Sequence, residues 1–92
     1  MSELKTIREE ITQIDVQMAA LFEKRMKAAR KVAAYKEAHG LSVRDRKIEA
    51  EKIERQKELI EDEELRPYYI SFLQSVMDIS SSYQETLISG MK

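Results

Sequence analysis

Cysteine is absent from this 92-residue chain, and histidine occurs once, at His39. Without Cys there is neither a disulfide framework nor a thiolate metal site. With one His there is no His cluster, and a nucleophilic triad is not expected. Proline is limited to Pro67, and glycine to Gly40 and Gly90, so little interrupts a helix. Neither sign of charge dominates: 16 basic and 17 acidic residues leave a net charge of -1. That balance offers no footprint for nucleic acid or for an anionic membrane. No leader pattern and no apolar run of membrane-spanning length is present, so the expected address is the cytoplasm. Strand alternation, internal repeats and low-complexity segments are missing too.

What the chain does have is a long helical pattern from Leu4 to Tyr35. Leu4, Ile7, Ile11, Ile14, Met18 and Leu21 recur in alternating steps of three and four. The same count continues to Arg25, Ala28, Val32 and Tyr35. A seam of period 3.5 belongs to a helix packed along its whole length. Arg25 is the exception on that seam, and an anionic group is expected to meet it. The size suits a single domain, residues 1–92, whose radius of gyration would be roughly 12 Å if compact. A helix from Leu4 to Ala38 would be about 52 Å long at 1.5 Å per residue. One copy cannot cover such a seam, which implies an oligomer, most simply a two-fold dimer.

Ser2 is placed to cap the first helix, and Gly40 to end it in a left-handed conformation. Leu41–Arg44 reads as a short connection. Ser42 and Asp45 resemble a capping pair for a second helix, from Val43 or Asp45 to Ile60 or Glu61. Its apolar residues (Ile48, Ile53, Leu59, Ile60) are sparse, so it should lie on the bundle's surface. Asp62–Glu64 marks a turn, and Pro67 fits the first turn of a third helix. Tyr69, Leu73, Val76, Ser80, Tyr83 and Leu87 form its apolar face, and fraying is expected at Ser89–Gly90. The predicted fold class is all-α, with one long helix and two shorter ones.

The polar residues on the inner faces suggest chemistry. Arg25 and Lys36 are eleven residues apart, hence within about 20° on the helix and roughly 16 Å along it. Ala29, Val32 and Ala33 leave a low floor between them, into which a small dianion would fit. The same two residues would also be explained by snorkelling to solvent or by pairing with neighbouring carboxylates. Asp45 and Glu49 form an i,i+4 carboxylate pair suited to acid–base work, to cation binding or simply to a solvated face. Ser80 and Gln84 are likewise i,i+4, and would also serve as an ordinary interhelical hydrogen bond. Arg8 is rotated by about 100° from Arg25, positioned to reach a neighbouring subunit or to stay in water.

Taken together and in this order, these residues resemble the all-helical class of chorismate mutases. The matching stretches are Leu4-Lys5-Thr6-Ile7-Arg8-Glu9-Glu10-Ile11 with Ile14-Asp15, Glu23-Lys24-Arg25-Met26 and Val32-Ala33-Ala34-Tyr35-Lys36. They continue with Val43-Arg44-Asp45 and Glu49, then Val76-Met77-Asp78-Ile79-Ser80 through Tyr83-Gln84. The family usually has Arg immediately before the glutamate, in Asp-x-x-Arg-Glu, where this chain has Ile48. That departure removes one cation and implies a weaker enzyme. Ile88-Ser89-Gly90-Met91 resembles the junction where bifunctional relatives continue into a prephenate dehydratase domain.

The resemblance implies the rearrangement of chorismate to prephenate, towards phenylalanine and tyrosine, in an intertwined homodimer with two shared sites. A pericyclic reaction needs no nucleophile, metal or cofactor. The catalyst holds a flexible dianion in its reactive conformer and stabilises charge developing on the breaking ether oxygen. By analogy, Arg25 and the partner's Arg8 bind the carboxylates, and Lys36 and Gln84 donate to the ether oxygen. Glu49 and the Asp45 region hold the ring hydroxyl, and Ser80 adds a carboxylate contact. Lys52, one turn beyond Ile48, is positioned to replace part of the missing charge. The alternatives are an isochorismate-pyruvate lyase, distinguished by salicylate and pyruvate as products, and a non-catalytic helical dimerisation or regulatory module.

Overall fold

The computed structural model describes residues 2–91 and contains no strand among them. Three helices account for most of the chain: α1 (Glu3–Ala38), α2 (Arg46–Gln56) and α3 (Arg66–Met91). Short 3-10 turns at Lys57–Leu59 and Glu63–Leu65 lead from α2 to α3. The all-α class, with one long helix and two shorter, is as the sequence predicts.

The helix ends follow local chemistry. Ser2 Oγ accepts from the Lys5 amide at 3.2 Å, satisfying one of the free N–H groups of the first turn. Glu3 in the first turn and Lys36 in the last complement the helix dipole. Gly40 has φ of 63°, which lets the chain reverse without the steric penalty of a side chain. The Leu41 amide then donates back to the Lys36 carbonyl at 2.9 Å, and the Gly40 amide to Glu37 at 3.4 Å. This double closure is a Schellman motif.

The connection after it differs from the expected capping pair. Ser42 does not cap α2; Asp45 does, its Oδ1 accepting from the Ile48 amide at 3.1 Å. Residues 41–45 stay irregular because Val43 turns inward onto Ala33 and Ile88, with Leu87 packed against the group. No residue of α2 is buried, and it packs on α3 but not on α1. Its sparse apolar pattern anticipated that position. Arg66 closes the following turn by donating to the Ile60 carbonyl at 2.9 Å. Pro67 sits in the first turn of α3, where its missing N–H is harmless.

The buried line of α3 is Leu73, Met77, Ser80, Ser81, Gln84 and Ile88. Of the face expected from periodicity, only Leu73 and Ser80 are buried; Tyr69, Val76, Tyr83 and Leu87 are half-buried. The helix is turned so that Met77 and Ile88 face the rest of the chain, and α3 contacts both α1 and α2. It also continues through Gly90 to Met91 rather than fraying at Ser89. Ile88, seated on Ala33 and Val43, anchors that last turn.

On α1 only Ala29 and Ala33 are buried, where α3 crosses. Every residue from Glu3 to Arg25 is exposed. The seam residues Leu4, Ile7, Ile11, Ile14, Met18 and Leu21 are between 46% and 64% accessible. Arg25 therefore stands exposed, and no carboxylate of the described residues pairs with it. The molecule is a 56 Å long body with a radius of gyration of 16.7 Å, well beyond the compact value.

Candidate active site

The gap between α1 and α2, backed by α3, is a cavity of about 320 Å³. Arg25 and Lys36 of α1 border it, with Ala28, Ala29 and Val32 between them as its low floor. The connection contributes Val43 and Asp45, and α2 contributes Ile48, Glu49 and Lys52. Met77, Ser80, Ser81 and Gln84 of α3 form the back wall. Six of the seven residues expected at a site thus meet around one space: Arg25, Lys36, Asp45, Glu49, Ser80 and Gln84. Arg8 does not; it is exposed on α1, roughly 26 Å from Arg25 along the axis at 1.5 Å per residue.

Lys36 is held in place by its own connection: Nζ donates to the Val43 carbonyl at 2.5 Å. The left-handed turn at Gly40 brings that carbonyl back over the last turn of α1. An ammonium has three donors, so others remain for the cavity. Asp45 uses Oδ1 to cap α2 while its side chain borders the space.

Glu49 is gripped from behind. Arg44 Nη2 meets its Oε1 at 2.6 Å and Arg44 Nε its Oε2 at 3.1 Å. This two-pronged hydrogen bond is the main cause of a Glu49 carboxyl held below its usual pKa. Glu49 is therefore an acceptor at neutral pH rather than an acid. Arg44 also reaches Asp78 Oδ1 on α3 at 2.8 Å. The Arg44 bond, with a second from Gln74, lowers the Asp78 pKa. The guanidinium of Arg44 is correspondingly raised, first by Glu49 and then by Asp78. Neither Arg44 nor Asp78 stood out as a site residue in the sequence. The available signal was an Arg one position before a helix cap and five before a carboxylate.

Gln84 and Ser80 are both buried, and Gln84 Nε2 donates to Ser80 Oγ at 3.2 Å. Gln84 Oε1 has no partner among the described residues. A half-turn of the amide exchanges the two: Oε1 then accepts from the Ser80 hydroxyl, and Nε2 takes the buried position as a donor. Burying a polar group without a partner is unfavourable.

The charge balance favours an anion. Asp45 faces a helix N-terminus, and Glu49 is neutralised by Arg44. Arg25, Lys36 and Lys52 border the space, and none of them is in an ion pair among the described residues. Ile48 adds apolar wall beside Lys52, as the helical spacing predicts.

The frame is all-helical, and its cavity is lined by three cations, two carboxylates and a buried amide. The chain belongs to the chorismate mutase type II family, whose match spans residues 7–85. Members are isomerases that convert chorismate to prephenate in aromatic amino-acid biosynthesis. The match favours neither the lyase nor the non-catalytic module, and lends no support to a dehydratase continuation after Ile88. Curated proteins and solved structures gave no match to the chain. No helix among the described residues is long and apolar enough to cross a membrane.

Proposed function

We propose that the cavity between α1 and α2 is where this chain rearranges chorismate, within the shikimate pathway of the cytoplasm. The observation that carries the reading is the meeting of Arg25, Lys36, Glu49, Ser80 and Gln84 around one space with uncompensated positive charge. The reaction breaks the ether C–O bond as a C–C bond forms, with no external group transferred. Arg25 binds a substrate carboxylate, and Ser80 adds a hydrogen bond to the other. Lys36 and the turned amide of Gln84 donate to the ether oxygen as negative charge builds there, which lowers the barrier because the donors are already in place. Glu49, ionised and fixed, accepts from the ring hydroxyl, with Asp45 beside it. The 320 Å³ space selects the folded conformer, an orientation effect.

The working unit in this reading is an intertwined homodimer, each site completed by the partner's Arg8. Two observations support it. The exposed seam on α1 has no cover among the described residues. The accessible surface is 7416 Å², whereas a monomer of 10.8 kDa is expected to expose about 5,500 Å². An excess of this order matches one protomer's share of a large obligate interface.

The test is loss of chorismate absorbance on adding purified protein, with the products identified. Prephenate is expected. Salicylate and pyruvate would assign the lyase reaction, and unchanged chorismate would leave only a helical module.

A further inference from the structure

We propose that Arg44 and Asp78 are positioning residues that act on the reaction through Glu49. Neither borders the cavity, so neither is placed to touch the substrate. Glu49 does border it, and both of its oxygens are engaged by one guanidinium, at 2.6 and 3.1 Å. The same Nη2 that meets Glu49 Oε1 also donates to Asp78 Oδ1 at 2.8 Å, and Gln74 Nε2 donates to that Oδ1 at 3.1 Å. The chain of contacts runs from α3 through the connection to α2. It matters because α2 has no buried residue to set its position. A glutamate on such a helix keeps several rotamers unless something selects one, and a two-pronged Arg contact fixes direction as well as charge. Asp78 contributes by turning the Arg44 fork towards Glu49. Met77, its neighbour in sequence, is buried and borders the cavity.

The inference rests on Glu49 accepting from the bound substrate, and the experiment separates the two claims. The parent, Asp78→Asn, Glu49→Gln and the double variant are compared in the full chain for kcat, KM and their pH profiles. Asp78→Asn is expected to lower kcat/KM about tenfold in the parent and to have no further effect once Glu49 is Gln. Such non-additivity marks residues that act as a unit. An equal loss in both backgrounds would make Asp78 a structural tie and overturn the proposal. A Glu49→Gln chain with parental turnover would instead overturn the role of Glu49.

A second measurement needs no turnover. The carboxyl carbon of Glu49 is followed by NMR through an acid titration in the parent, in Arg44→Gln and in Arg44→Lys. The groups facing Glu49 are Arg44 and Asp45 from the connection, Arg46 at 3.8 Å and Lys52 from α2, Lys36 from α1 and Asp78 from α3. If Arg44 governs Glu49, Arg44→Gln moves the titration to higher pH and the acid limb of kcat/KM follows. Arg44→Lys restores charge without the fork, so it recovers only part of the titration shift and not the full rate. A Glu49 titration unmoved by Arg44→Gln would overturn the proposal.

Discussion

Lys36 shows how one side chain is prepared by its surroundings. Its ammonium is tied to the Val43 carbonyl, so its position is set before substrate arrives. Removing a pre-placed donor of this kind typically costs on the order of 100-fold or more in kcat. Lys36→Ala and Arg25→Ala should each lose that much while circular dichroism and sedimentation stay parental. Near-parental turnover of Lys36→Ala would end its assigned role. Ile48 poses the opposite question, because a cation is missing there. It is 48% exposed at the cavity, so Ile48→Arg adds charge without burying it. Ile48→Arg should raise kcat/KM, and Lys52→Ala should lower it, less so once Arg is at 48. A gain of about 1.4 kcal/mol in transition-state binding would be tenfold. No gain would mean that the site is built around the isoleucine.

At the scale of elements, the start of α2 joins folding to the site. Asp45 caps it and borders the cavity. Asp45→Ala should lower stability by about 1 kcal/mol, and Asp45→Asn by much less, since Asn caps as well as Asp. Urea midpoints of the two variants check this. The Arg44 link adds a pH dependence. Glu49 and Asp78 both have lowered folded-state pKa values, so the link is fully stabilising above the unfolded carboxylate range. Its contribution is lost as pH falls through the folded values. Arg44→Gln should therefore be less stable than the parent at pH 7, with the gap closing in strong acid. A gap independent of pH would contradict it. These elements also show what a sequence can disclose. The long first helix, the caps at Ser2 and Gly40 and the meeting of Arg25 with Lys36 around one space are legible, because helix geometry and local capping chemistry fix them. The Arg44–Asp78 contact spans 34 positions in a chain rich in charge, and no local spacing marks it out. The buried line of α3 was misread by part of a turn because α3 contacts both of the other helices, and periodicity does not say where the two contacts centre. Ser42 does not cap because the inward turn of Val43 is a tertiary event that local spacing does not carry.

The whole molecule is a long lever with its cavity at one end and Arg8 towards the other. Within one chain these cannot meet, since α1 is a single unbroken helix. In a two-fold dimer built on the exposed seam, Arg8 of each subunit is carried along the partner's surface towards its cavity. If each site draws on both chains, two different defects fall in different places when subunits mix. An Arg8→Ala subunit keeps Lys36 in its own cavity and fails to complete its partner's. A Lys36→Ala subunit spoils its own cavity and still lends Arg8. In a heterodimer one cavity then receives both defects and the other neither. Each homodimer should be nearly inactive, and unfolding the two together and refolding them at equal concentration should restore activity. Random pairing makes half the dimers mixed, each with one intact site, so about a quarter of the parental site number should return. Melting temperature should rise with protein concentration in every one of these samples, as for a fold that requires its partner. No recovery on mixing, with the melting still concentration-dependent, would place Arg8 outside the partner's site while leaving the dimer standing.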